Sequence, residues 1–205
     1  NKASINIEVN IDNWTFGGTV STPSVTVTNG DEDDLSASEY GTVTYSWYLN
    51  STDGWKLWSD GTPSLVGSYY IKAVIGESDN YTSGEALSTF AITKSNLSSA
   101  SYITVEDWTY GGTSSEPTVS ENPGKATVTW GYSIDGITWN TWGTTDGTGK
   151  FTVGSNPPTN AGEYYVRANV EASGAYTSAV INKNSDGDIS VFEIKKAGAG
   201  DVKLN

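Results

Sequence analysis

The chain has 205 residues, 24 of them acidic and 11 basic, for a formal net charge of −13, and it contains no Cys, Met or His. Those missing types exclude disulfides, thiol chemistry and the imidazole general base, and they remove the usual soft metal ligands. The Lys and Arg residues are scattered rather than clustered, which argues against a nucleic-acid partner, and no apolar run is long enough for a membrane-spanning helix.

The first element is Ile5-Asn6-Ile7-Glu8-Val9-Asn10-Ile11, where apolar and polar residues alternate without exception, as in a strand with one buried face. Asn13-Trp14-Thr15-Phe16-Gly17-Gly18-Thr19 follows, then Pro23 and an acidic insert, Gly30-Asp31-Glu32-Asp33-Asp34. A second alternating run sets Val43, Tyr45, Trp47 and Leu49 against Thr44, Ser46 and Tyr48. Asp53-Gly54 then predicts a type I′ hairpin turn, with Trp55 and Trp58 just beyond it. The next strand directs Tyr69, Ile71, Ala73 and Ile75 inward, and Tyr81-Thr82-Ser83 and Phe90-Ala91-Ile92 lead to the end of a unit near Lys94.

After the connector Ser95-Asn96-Leu97-Ser98-Ser99-Ala100 the same landmarks return in the same order. They are Asp107-Trp108-Thr109-Tyr110-Gly111-Gly112-Thr113, Pro117, Val128-Thr129-Trp130, Asp135-Gly136, Gly162-Glu163-Tyr164-Tyr165, Tyr176-Thr177-Ser178 and Phe192-Glu193-Ile194. Trp139 and Trp142 follow the second Asp-Gly as Trp55 and Trp58 follow the first. The period, about 95 residues, exceeds the 20 to 50 of solenoid repeats, so each copy is expected to be a domain with its own core.

No segment shows helical spacing, and Gly, Thr, Val, Tyr and Trp dominate, so the expected fold class is all-β with almost no helix. Short strands separated by Gly, Asp, Asn and Pro turns indicate a sandwich or barrel. Trp47 sits where an immunoglobulin-like domain puts its core Trp, with Trp130 or Tyr132 as the counterpart. Gly67-Ser68-Tyr69-Tyr70 and Gly162-Glu163-Tyr164-Tyr165 read as approaches to a tyrosine corner. The expectation is two tandem immunoglobulin-like β-sandwich domains, residues 1–95 and 96–197, with 198–205 a linker or the start of a further unit. The chain reads as a piece of a longer protein, and its acidic, Cys-free composition fits an exported, extracellular one.

Trp-Thr-aromatic-Gly-Gly, the following Pro, the Val-Thr-aromatic strand, Pro158-Thr159-Asn160-Ala161-Gly162-Glu163-Tyr164-Tyr165-Val166-Arg167-Ala168 and the closing Phe-x-Ile-x-Lys together resemble the tandem bacterial Ig-like repeats called MBG domains. The resemblance covers nearly the whole chain. The first copy departs from it at Pro63-Ser64-Leu65-Val66-Gly67 and in its acidic insert. What the resemblance implies is a spacer or adhesive role in large secreted or cell-wall-attached surface proteins, with neighbouring repeats as partners and no catalytic residues to carry over.

Trp55, Trp58, Trp139 and Trp142 are the candidate ligand residues, since exposed indoles stack on the apolar faces of sugars and anchor protein interfaces. The plainer alternative is that these rings cover the open end or edge of a sandwich. Residues 31–34 and Asn184-Ser185-Asp186-Gly187-Asp188 suggest calcium, but neither has the spacing of a calcium loop, and solvated turns are expected instead. Lys2, Lys94 and Lys196 lie near strands where surface domains sometimes close a Lys–Asn isopeptide bond, without a constellation that repeats in both copies. Glycoside hydrolysis would need two carboxylates across a cleft, of which the sequence gives no sign. The expected function is a non-enzymatic spacer or presentation module without cofactor or metal. The alternative is a module that binds a glycan or host protein through its tryptophans.

Overall fold

A computed structural model describes residues 1–97 and 100–198. The chain divides into two compact units, Asn1–Ser95 and Asn96 onward. The architecture is all-β: among the described residues, helix is confined to one short turn, α1 (Ala37–Tyr40). The connector's Ser98 and Ser99 and the tail from Ala199 on lie outside the described residues.

The first unit contains β1 (Asn6–Asn10), β2 (Trp14–Thr15), β3 (Ser24–Thr28), β4 (Val43–Ser51), β5 (Gly54–Trp58), β6 (Gly67–Ile75) and β7 (Gly84–Thr93). β1 and β3 form a two-stranded antiparallel sheet, and the others form a five-stranded sheet in the order β2-β7-β6-β4-β5. Val9 and Val25 of the small sheet pack against Tyr69, Ile71, Phe90 and Ile92 of the large one. Strict period-two alternation makes this possible: Tyr69, Ile71, Ala73 and Ile75 are fully buried while the residues between them face outward.

The second unit contains β8 (Ile103–Thr104), β9 (Trp108–Thr109), β10 (Thr118–Val119), β11 (Val128–Ser133), β12 (Asn140–Thr145), β13 (Phe151–Val153), β14 (Gly162–Val170), β15 (Ala179–Ile181) and β16 (Val191–Lys195). β8 and β10 pair, and the large sheet runs β13-β12-β11-β14-β16-β9 with β15 also on β14. Register fixes the correspondence between the copies. Tyr45 pairs with Ala73 and Trp47 with Ile71, as Trp130 pairs with Ala168 and Tyr132 with Val166. The counterpart of Trp47 is therefore Tyr132.

Both cores are built on one stack of three rings. Trp14 lies on Phe90 (4.9 Å between centroids, 15°), and Phe90 on Tyr69 (5.3 Å, 15°). Trp108, Phe192 and Tyr164 repeat it at 5.0 and 5.3 Å. The Trp enters on a short parallel strand, with Trp14 against Ile92 and Trp108 against Ile194. The residue before it secures that entry by its side chain: Ala91 N–H donates to Asn13 Oδ1 at 2.6 Å, and Glu193 N–H to Asp107 Oδ1 at 2.8 Å. Two glycines then end the run. Gly17 and Gly111 have φ of 73° and 79°, and a Cβ on Gly112 would come within 2.9 Å of the Thr109 carbonyl oxygen.

The Asp-Gly turns are not type I′, which requires positive φ at both central residues. Gly54 and Gly136 have positive φ, but among the described residues the only others besides glycine are Glu32 and Lys125. In the first unit β4 and β5 close with Ser51 opposite Gly54. In the second, residues 134–139 form a longer loop in which Ile137 and Thr138 N–H groups donate to Asp135 Oδ1 at 2.8 Å each. In both turns the left-handed position falls to the Gly, which has no Cβ to oppose it.

Candidate functional site

The four tryptophans separate into different environments. Trp142 is 1% exposed and lies in the second core, 5.0 Å from Phe192 and 5.8 Å from Trp108. It cannot belong to a surface platform, and that expectation is corrected. A β-bulge is the cause: Trp130 pairs with Gly143 and Gly131 with Thr141, so Trp142 is the extra residue on β12. Trp58 also points inward, half-buried, its ring meeting Tyr69 edge-on at 6.0 Å. Trp139 is half-buried with the Arg167 guanidinium 4.3 Å from its ring centre, so that ring face is taken.

Trp55 alone of the four stands well exposed, at 45%. It projects from the outer face of the five-stranded sheet and meets Tyr70 edge-on at 4.8 Å. Tyr70 in turn stacks on Tyr48 at 4.4 Å and 14°. Leu57 pairs directly with Tyr48 and is 64% exposed, and Leu87 lies on the same face, opposite Lys72, at 60%. The result is a contiguous aromatic and aliphatic surface on the solvent side of a sheet whose other face is core. Lys72 and Glu85 form an ion pair across its border, and accepting the ammonium's hydrogen bond lets Glu85 hold Lys72 above the ordinary lysine range. Such a surface stacks on flat apolar partners, with polar groups at hand for orientation. Tyr48 and Tyr70 were not singled out from sequence, although strand alternation already placed Tyr48 on the outward face.

The acidic clusters are turns built to one rule. Asn29 Oδ1 accepts from the N–H groups of Asp31 and Asp33, at 2.9 and 3.0 Å. Asn184 Oδ1 accepts from Asp186 and Asp188 at 3.0 Å each, and Asp146 Oδ1 from Thr148 and Lys150 at 2.9 and 3.1 Å. In each the residue three positions on is left-handed: Glu32, Gly187 and Gly149. Asn122 makes the turn that leaves Lys125 at φ 48°, with Ala126 N–H donating to Asn122 Oδ1 at 2.9 Å. Among the described residues no group of three or more Asp or Glu is placed to hold a metal ion. Lys2 pairs with Glu77 at the surface.

The second unit also carries a cleft of about 360 Å³ that sequence reasoning did not find. Its apolar lining is Pro117, Val119, Val128, Trp130 and Phe151, and its charged residues are Glu116, Lys125 and Asp146. Trp130 is anchored there by donating its indole N–H to Thr145 Oγ1 at 2.8 Å. Compared with known proteins, the chain matches no family model and no curated sequence.

Proposed function

We propose that the chain is a pair of immunoglobulin-like modules, of the kind found as tandem MBG-type repeats, that serves as a non-enzymatic spacer and presentation element in a secreted or cell-surface bacterial protein. The observation that carries this reading is what the two copies share. Tyr69 Oη donates to the Leu65 carbonyl at 2.7 Å and Tyr164 Oη to the Asn160 carbonyl at 2.8 Å, each four residues upstream, which is the bonding of a tyrosine corner. The three-ring stack is shared as well, whereas the loops and outer faces differ. What both copies keep is the folding framework rather than a shared surface site, which favours a structural role over a catalytic one. Pulling the chain from its two ends tests the proposal. Two separate unfolding events are expected, each releasing on the order of 300 Å of contour for about 95 residues. A single event, or extension without resistance, would overturn it.

The outer face around Trp55 favours a second reading, binding of a glycan or host protein by the first unit. Quenching of Trp fluorescence by acrylamide, repeated with a glycan and mucin panel, tests it: protection lost in Trp55→Ala supports binding at this face, and no protection by any ligand removes the reading.

A further inference from the structure

The outer sheet faces of the two units differ at one cation. Arg167, the only arginine of the chain, answers by register to Lys72, because Val166 pairs with Tyr132 as Ile71 does with Trp47. Lys72 is neutralised by Glu85, which the register sets opposite Val74. In the second unit the residue opposite the equivalent Asn169 is Val180, and among the described residues no carboxylate forms an ion pair with Arg167. The Arg167 Nε is buried without a hydrogen-bond partner, while the terminal nitrogens keep access to solvent.

The guanidinium is nonetheless held in place. Gly131 stands opposite Arg167 where the first unit has Ser46 opposite Lys72. A Cβ on Gly131 would come within 3.3 Å of both Arg167 Nε and Trp139 Cε3, so the glycine opens the space in which the guanidinium lies over the indole, 4.3 Å from its ring centre. A planar fork fixed on a ring loses little freedom on binding, and it matches the two oxygens of a carboxylate. Along the strand direction the carboxylates of Glu163 and Glu171 lie four residues away on either side, roughly 13 Å at the strand rise and beyond the screening length of about 8 Å at physiological salt. Asp135, in the loop before Trp139, is committed to the N–H groups of Ile137 and Thr138.

We propose that Arg167 is a binding site for the carboxylate of a sugar acid, a hexuronate unit of an acidic glycan lying on the outer face of the second unit's large sheet. That face suits a saccharide better than a peptide. β14 is paired on both sides, with β11 and with β15 and β16, so it has no free edge for a peptide backbone. Thr129, Thr141, Tyr165 and Asn169 face outward around Arg167 and offer hydroxyl and amide groups to the hydroxyls of a sugar. The site belongs to the second unit, so it rests neither on the spacer role nor on the surface around Trp55.

The probe is methyl glucuronide, with its methyl ester as the uncharged counterpart, titrated at low ionic strength into the whole isotope-labelled chain. Saturable NMR shifts are expected with the acid at the Arg167 Nε–H and the Trp139 indole N–H, and the ester should bind at least about tenfold more weakly. Arg167→Gln removes the fork, and Val180→Glu keeps it but supplies the carboxylate that Glu85 gives to Lys72. Each should weaken binding of the acid by at least about tenfold while the core amide signals stay in place. Shifts absent at tens of millimolar acid, equal binding of the ester, or binding retained by either variant would each overturn the proposal. So would N-acetylglutamate amide binding as tightly as the glucuronide, which would make the site one for peptide carboxylates. Shifts at the Trp55 indole in place of Trp139 would overturn it too, while supporting the reading given to the first unit.

Discussion

Tyr69 donates its hydroxyl proton to the backbone carbonyl of Leu65, 2.7 Å away, while its ring lies in the stack with Phe90. One side chain thus ties the approach to β6 to the centre of the core. Tyr164 does the same between Asn160 and Phe192. The polar end satisfies a loop carbonyl and the ring fills the space between the sheets, so the residue serves turn and core at once.

Tyr69→Phe keeps the ring and removes only the hydrogen bond, and it should cost about 1 kcal/mol of unfolding free energy. Tyr69→Ala also empties the stack and should cost about 3–5 kcal/mol. The Tyr164 variants should behave alike, and in the double variant Tyr69→Phe and Tyr164→Phe should each lower the stability of its own unit by the single-variant amount, because they share no partners. Urea unfolding of the four single variants and the double Phe variant measures this.

The shared Asx turn sets up a stabilising substitution. Glu32 and Lys125 occupy a left-handed position that Gly149 and Gly187 fill in the equivalent turns. That conformation costs an ordinary L-residue about 1–2 kcal/mol, against roughly 0.5–1 kcal/mol of extra chain entropy lost by Gly on folding. Glu32→Gly and Lys125→Gly should each raise stability by about 0.5 kcal/mol, and Gly149→Ala should lower it by about 1 kcal/mol. The denaturation midpoint reads the effect, and a fall in either Gly variant would contradict the assignment.

Trp55 and Trp142 are the most and the least exposed of the four candidate tryptophans. Trp142→Ala should cost about 3–5 kcal/mol, since it leaves Phe192, Trp108 and Phe151 facing a void. Trp55→Ala gives up one edge contact with Tyr70 and should cost about 0.5–1.5 kcal/mol. Acrylamide should quench Trp55 readily and Trp142 scarcely at all, which single-Trp difference spectra of the two variants would display.

These contrasts also show what a sequence can carry. Period two was enough to place Tyr69, Ile71, Ala73 and Ile75 inside, because alternation is itself the geometry of a half-buried strand. The matched Trp-Thr-aromatic-Gly-Gly runs likewise marked a real element, the parallel strand and its glycine turn. Trp142 was offered as a surface residue on its place after Asp135-Gly136, a spacing that carries no strand register, and the bulge beside it leaves one local trace, the neighbouring Gly143, where a Cβ would come within 2.5 Å of the Thr152 carbonyl oxygen. The cleft of the second unit could not be read from the sequence, since its lining comes from segments apart in the chain, residues 116–130 and 145–151, that only the fold brings together. The surface around Trp55 required knowing that Tyr48 and Tyr70 face the same side of one sheet.

The loop of Asp135 makes part of the second unit's stability depend on acid. Its carboxylate accepts the N–H groups of Thr138 and Ile137 and the Ser133 hydroxyl, and these bonds to the charged form bring it down from 3.8 to about 2. A folded-state value below the unfolded one means that the stabilisation is fully present above about pH 5 and is lost as the pH falls toward the folded value. Asp135→Asn keeps an acceptor at the same place but does not titrate. The stability gap between wild type and Asp135→Asn should therefore stay constant above pH about 5 and close between pH about 4 and about 2, the interval between the two protonation midpoints. Urea midpoints of both proteins across that range measure it. A gap that stays open at pH 2 would show that the Asp135 bonds stabilise the turn through shape rather than through charge.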